Sequence, residues 1–436
     1  MNTIETIKER YRQLQSNNGQ SVLTPIEQNA FNTFNMLGIP TVKHEEWKYT
    51  RISSVFNKEY AFNPEHLSYS IGETDLDAIR FPGYGAANEL VFINGSYSSQ
   101  LSTIRSENLT VISLEEATRN EYREMVLEHL GHSSKYIKDG LNALNTAFAA
   151  EGVFIHVKKG NIVEHPVYIY NVVDARTTNI LSQPRTLIYL AENAQVIFAE
   201  TYATFGSFES FVNQVTEVVV EQNASLEYYR IQNDAAHANQ VNTTHIRQLG
   251  KSLVNTVTIS LDGGIVRNNL NIAMEAEYSE SHFYGLYFLK GNTHVDNHTV
   301  VDNVKPHCES NELYKGVIDD SATAVFNGKI FVQKDAQKTN AYQSNKNLLL
   351  SDNASVNTKP QLEIFADDVK CSHGCTVGQL DEEGLFYMRS RGISEKAAKS
   401  LLIHAFAVDI LEHIKPEKVR EYVDQLIAER LGVELE

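Results

Sequence analysis

Cysteine is scarce, with three in 436 residues. That excludes a disulfide framework and points to a reducing compartment. Basic residues are in deficit, 38 against 55 acidic, for a net charge of −17. Such a surface repels phosphate backbones, which argues against nucleic acid as a partner. No apolar run approaches the roughly 18 residues of a spanning helix, so no membrane segment is expected. The stretch MNTIETIKERYRQLQ reads as a polar amphipathic helix and lacks the apolar core of a signal peptide. Nucleotide and nucleophile motifs are missing too. Gly250-Lys251-Ser252 ends like a phosphate loop, but His245 stands where the first glycine belongs and no helix-forming run follows. No Gly-x-Ser-x-Gly elbow occurs, and no Gly-x-Gly-x-x-Gly follows a strand. The expectation is a soluble, acidic, cytoplasmic chain without a nucleotide site of its own.

What is there divides into three textures. Hydrophobic content of 42% and charged content of 21% are ordinary for a folded chain. Residues 1–150 are mixed and mainly helical. In TPIEQNAFNTFNMLGIP, Thr24 is expected to cap a helix with Pro25 at its first position and Glu27 closing a capping box, and Gly38 and Pro40 stop it. Ser113 and Glu116 form a second capping box before LEEATRNEYREMVLEHL. From 151 to 380 the pattern changes to short alternating runs such as VFIHVKKG, VYIYNVV and TEVVVEQ, rich in β-branched and aromatic residues. Residues 381–436 are helical again. Ser394 caps a helix whose Ala398, Leu401, Ala405 and Val408 or Leu411 follow the helical period, and Pro416 starts another. This helical pair either caps a β-stack or docks a partner.

A loose repeat runs through the β region. Asn193-Ala194-Gln195-Val196 recurs as Asn223-Ala224-Ser225-Leu226 and Asn353-Ala354-Ser355-Val356, with a weaker copy at Ser321-Ala322-Thr323-Ala324. A polar corner followed by a small residue and an aliphatic one suits coils stacked on one axis. A β-helix with hairpin excursions fits the uneven spacing better than a propeller, and a sandwich is the plainer alternative.

Two stretches carry candidate ligands. NTHVDNHTVVDNVKPHCES holds His294, His298, His307 and Cys308. On a flat strand His294 and His298 share a face about 13 Å apart, too far for one metal. DDVKCSHGCTVG places Cys371, His373 and Cys375 at alternate positions, hence on one face of a strand. Neighbours on that face are about 6.6 Å apart, whereas tetrahedral ligation brings donors within roughly 4 Å. A straight strand cannot chelate with all three, although Gly374 offers a kink. Buried packing thiols are the bland reading of the same residues.

Four stretches carry a family resemblance. They are GIPTVKHEEWKYT (38–50), DNHTVVDNVKPHCESNELYKGVIDDSATAVFNGKIFV (296–332), QKTNAYQSNKNLLLSDNASVNTKPQLEIFADDVKCSHGCTVGQLD (337–381) and FYMRSRGIS (386–394). The chain resembles the SufB/SufD family of the SUF iron–sulfur cluster assembly machinery. Its Cys-Ser-His-Gly turn and the Met-Arg of FYMRSRGIS look like the SufD branch. Cys375 departs from the family, where alanine is common. The resemblance implies a right-handed parallel β-helix between an N-terminal helical region and C-terminal helices. It implies a non-catalytic scaffold subunit that pairs with SufB and docks the ATPase SufC, which would hydrolyse the ATP. Cys371 and His373 carry over as the pair at the SufB interface. There they would serve iron entry or nascent cluster assembly, with no cofactor held stably by this chain alone. Cys375, His307 and Cys308 are possible additional ligands. The helix with Ser394, Ala398, Leu401, Leu402, Ala405 and Phe406 is the expected ATPase-docking element. A homodimer of the isolated chain fits the same picture.

Two rivals stand beside this reading. One is a purely structural β-helix scaffold without cluster ligands. The other is a carbohydrate-active β-helix enzyme, for which Asp319-Asp320 and Asp367-Asp368 are the only nearby acidic pairs; adjacent strand residues point to opposite faces.

Overall fold

The computed structural model describes residues 3–17, 21–62 and 71–432. Its centre is a parallel β-helix flattened into two sheets of eleven and ten strands. From Arg185–Leu190 to Lys370–Gly378 successive strands alternate between the sheets, so from Ser210–Val220 onward each pairs in parallel with the strand before last. Ser225–Asn233, for example, lies between Gln195–Phe205 and Leu253–Asp262. Alternation sends Val196, Phe198, Leu226 and Tyr228 into the lumen. The expected hairpin excursions do not occur within these coils. Among the described residues the antiparallel pairs lie earlier, Asn88–Ile93 with Ser96–Tyr97 and Leu109–Ser113 with Val153–Val157.

The repeat in the sequence is the corner of the coil. Asn193 and Asn223 both turn at φ 59°, and Asp320 at φ 51°, a left-handed conformation that Asn and Asp tolerate better than most residues. The following Ala194, Ala224, Ala322 and Ala354 are buried, where a larger side chain would collide with the core. Asn223 also donates its amide to Asn193 Oδ1 at 3.1 Å, one rung of a ladder along the corner. Gly250-Lys251-Ser252 is another such corner, between Ala238–Gln248 and Leu253–Asp262.

Helices cover the outer faces. The N-terminal region lies on the eleven-stranded sheet, with Trp47, Phe56 and Leu144 against Phe211 and Val241. The helices Glu395–Leu411 and Glu417–Leu431 lie on the ten-stranded sheet, with Ile403, Ile410 and Val423 against Tyr229, Ile259 and Phe288. Ser113 Oγ accepts from Glu116 N and Ser394 Oγ from Ala397 N, as the caps require. Thr24 behaves differently. It is the first residue of Thr24–Leu37, Leu23 occupies the cap position without a side-chain bond, and buried Glu27 accepts from Ala150 N instead. The charged run after Ser113 breaks into Leu114–Ala117 and Arg123–His129.

Where the N-terminal region meets the coil, His132 Nδ1 and His245 Nε2 share a hydrogen bond of 3.0 Å, which requires one donor and one acceptor. Burial, with Arg247 close by, pulls His132 down to about 4 and His245 to about 3. Both folded values lie below the unfolded value near 6.5. The unfolded chain therefore takes up these protons first, and stability is lost as pH falls from about 6.5 towards 4. Urea unfolding at pH 7.5 and pH 5 is expected to show a loss of about 2 kcal/mol from each of the two histidines. The slope should be shallower in the double variant His132→Gln, His245→Gln; an unchanged slope would remove the pair as its source.

Candidate metal-binding edge and docking face

The coil stops at an open end. Ser355–Ile364 is the last strand of one sheet and Lys370–Gly378 the last of the other, and each has a neighbour on one side only. Their main-chain groups on the free side have no ladder partner among the described residues. Such edges are templates for another chain.

The inner face of Lys370–Gly378 follows from its neighbour. In Asn340–Leu349 the residues Ala341, Gln343, Asn345 and Asn347 are buried, while Tyr342 and Lys346 are exposed. The register pairs Cys371 with Ala341, His373 with Gln343 and Cys375 with Asn345, without a shift at Gly374. Cys371, His373 and Cys375 therefore do share one face, and it is the lumen face. No coil covers it, so Cys371 is half-buried and His373 and Cys375 are exposed. Gly374 does not kink the strand, and the single-strand chelate stays excluded by spacing. Burial pushes the Cys371 thiol up, so it is protonated at neutral pH unless a metal displaces the proton. One coil further in, Gln343 Nε2 donates to Glu312 at 2.5 Å. Its side chain crosses the lumen into the space left by Gly328, where a Cβ would sit 2.1 Å from Nε2.

The other candidate ligands lie apart. Cys308 is 1% exposed, donates to Ala276 O at 3.4 Å, and burial pushes its thiol up to about 11. The register through Asn340 puts it two coils below the residue preceding Lys370. His307 occupies a left-handed corner, stacked on Tyr278 with centroids 4.7 Å apart. Neither joins Cys371 and His373. Among the described residues no group of three or more His, Cys, Asp and Glu could hold a metal ion. Any metal on this edge would complete its ligand set from beyond the described residues.

His294 and His298 have a different task. Thr50 bonds His294 Nε2 at 2.8 Å and donates to Asp296 at 2.5 Å. His298 lies between Asp296 and Glu46. Arg267 binds Asp296 and the Glu46 carbonyl and stacks over Trp47 at 4.0 Å. This strap fastens residues 45–50 to the coil, and only the chain's tertiary path reveals it.

At the C-terminal face, Leu401, Ala405 and Val408 point outward, whereas Ile403, Ala407, Ile410 and Leu411 are buried. Ala398 is fully buried, so it belongs to the packing seam and cannot contact a partner. Leu402 and Phe406 are half-buried, and Ser394 serves as the cap. The helix is apolar around most of its girth, so the period alone does not decide which face turns inward. Alongside, Glu382–Ser390 buries nothing and exposes Phe386 at 75% and Tyr387 at 60%. Together these side chains make an exposed apolar surface of the kind that marks interaction sites. No described helix is long and apolar enough to cross a membrane.

Two family models match the chain. Residues 172–406 match the SufBD core domain of the SUF system for FeS cluster assembly. Residues 3–169 match the SufBD protein N-terminal region. An iron–sulfur cluster assembly SufBD family protein of Synechocystis is 32% identical over 411 residues, covering 90% of this chain and 88% of the relative. The iron–sulfur cluster assembly protein SufD of Escherichia coli is 29% identical over 401 residues, 90% of each chain. The chloroplastic protein ABCI7 of Arabidopsis thaliana is 30% identical over 288 residues, covering 64% of this chain and 60% of the relative.

Proposed function

The chain belongs to the SufBD family of iron–sulfur cluster assembly proteins, and from that premise we propose that it is a non-catalytic scaffold subunit pairing with SufB and docking the ATPase SufC. The observation that carries this reading is the open end of the coil. Two unpaired strand edges accompany Cys371 and His373 on an uncovered lumen face. A paralogous coil meeting those edges would cover the face and bring its own ligands. A thiolate and an imidazole suit iron, and iron or a nascent cluster is here the cargo. Cys375 lies on the same face and can serve as a third donor.

SufC docks, in this reading, on Leu401, Leu402, Ala405 and Phe406 together with Phe386 and Tyr387. The helix pair is fastened to the coil behind it. Lys315 Nζ donates to Phe406 O at 2.9 Å and to Asp409 at 2.5 Å, and Lys415 pairs with Glu227. A pull on the helices is therefore passed to the coil and its open end. Leu401→Asp with Val408→Asp, both at exposed positions, should cut SufC co-purification at least tenfold with melting unchanged. SufC retained at the wild-type level would remove the docking assignment. Co-purification of SufB with the same variant is expected to persist, which separates the two interfaces.

A further inference from the structure

We propose that oxidation locks two copies of this chain end to end through crossed disulfides, Cys371 of each copy bonded to Cys375 of the other. Within one chain these thiols cannot meet. They lie four positions apart on a strand whose register has no shift, about 13 Å by the strand rise, whereas a disulfide holds its Cα atoms roughly 4.4–6.8 Å apart. The remaining cysteine, Cys308, is buried. A thiol partner for either residue must come from another chain.

The edges themselves fit a second copy. Lys370 N donates to Thr339 O, so by alternation Cys371, His373 and Cys375 turn their main-chain N–H and C=O groups to the free side. In the other sheet Ser355 N donates to Ala322 O, which turns Val356, Thr358, Leu362 and Ile364 to the free side in the same way. On both strands the lumen-facing residues are thus the ones with hydrogen bonds still to make. A two-fold axis normal to the sheets pairs each edge antiparallel with its own copy.

That axis passes through facing points of the two strands. Gln343 reaches across the lumen to Gly328, and the register carries these two residues to His373 and Pro360 one coil on. With the axis there, Cys371 lies opposite the second copy's Cys375. Val356 meets its Ile364, which is 40% exposed in the single chain, and Lys359 has its Glu363 on the diagonal, within reach of long side chains. Cysteines paired in this way exchange both main-chain hydrogen bonds with Cα atoms about 5.5 Å apart, inside the disulfide range. Pro360 meets its own copy without that exchange, because it has no N–H.

Hydrogen peroxide is the oxidant. The exposed Cys375 thiol takes one oxygen from it, forming a sulfenic acid and releasing a water. Cys371 of the second copy attacks that sulfur, the S–O bond breaks, and the hydroxyl leaves with the thiol proton as another water. Each disulfide consumes two thiols and one peroxide. The locked dimer covers both edges and His373. Its consequence rests on the reading of this end as the SufB and iron site: the oxidised chain is withdrawn from both until a thiol reduces it.

The test treats the full chain with hydrogen peroxide and reads covalent dimer on a non-reducing gel. Wild type is expected to form a dimer that dithiothreitol dissolves. Cys371→Ser and Cys375→Ser should each form at least tenfold less, because every bond of the lock needs one of each cysteine. Mixing the two variants should restore dimer, through Cys375 of one chain and Cys371 of the other. No dimer from wild type, dimer from either variant alone at the wild-type level, or no recovery in the mixture overturns the proposal. SufB capture by the reduced chain should exceed capture by the locked dimer at least tenfold, and equal capture overturns the withdrawal. A reduced chain that fails to capture SufB rejects the pairing reading instead, while the gel decides the cross-link by itself.

Discussion

Combining Cys371→Ala with His373→Ala is expected to abolish cluster maturation in cells that depend on this pathway, read as activity of an iron–sulfur enzyme. An iron on this edge would lose a thiolate and an imidazole together, and the remaining Cys375 alone cannot hold it. Neither position carries the fold. Cys371 is half-buried on the terminal coil and His373 is exposed, so the double variant should lose no more than about 1 kcal/mol of stability. Low maturation with unchanged melting and unchanged SufB pairing is the expected combination. Normal maturation would reject the site. The same assay distinguishes Cys375, whose replacement by alanine should cost far less than either neighbour if it is an auxiliary donor.

The lumen face of that strand illustrates how far sequence reasoning reaches. Alternation alone places Cys371, His373 and Cys375 on one side of a strand, and the structure agrees. It does not tell which side is the lumen; that follows from the register against Ala341, Gln343 and Asn345. The corners are legible for a stronger reason. An asparagine turning left-handed before a buried alanine is a local requirement, met at Asn193–Ala194 and again one coil on at Asn223–Ala224. The Glu395–Leu411 helix is legible as a helix but not in its orientation. Apolar residues surround it, and only the outer face of the ten-stranded sheet selects Ile403, Ala407 and Ile410 over Leu401, Ala405 and Val408. The strap from Glu46 to Thr50 joins residues more than 200 positions apart, and no spacing rule connects them. Thr24 shows the converse error, a sound local cap pattern overridden because Glu27 is needed against Ala150.

The largest loss of stability should come from inside the coil, at Arg230. Glu200 and Arg230 stack in register on neighbouring strands with their side chains in the lumen, 0% and 4% exposed. Arg230 Nη2 meets Glu200 Oε2 at 3.0 Å and donates to Thr244 Oγ1 at 3.0 Å. Tyr228, Asn171 and Gln214 donate to the same carboxylate at 2.8, 2.8 and 2.5 Å. Burying two charges is costly, and their attraction recovers that cost only when the remaining donors and acceptors are satisfied, as they largely are here. Arg230→Met keeps the volume but strands the carboxylate, which should cost about 3–5 kcal/mol by urea unfolding. Part of that loss should be relieved at low pH, because an unpaired buried carboxyl takes up a proton. Adding Glu200→Gln removes the stranded charge while keeping an acceptor for Tyr228, so the double variant should recover most of the stability. The coupling between the two changes is then large and of opposite sign to either single loss. Additive losses in the double variant would mean that the two residues act through packing alone. In that case the lumen would be held by its aliphatic and aromatic faces rather than by this charge pair.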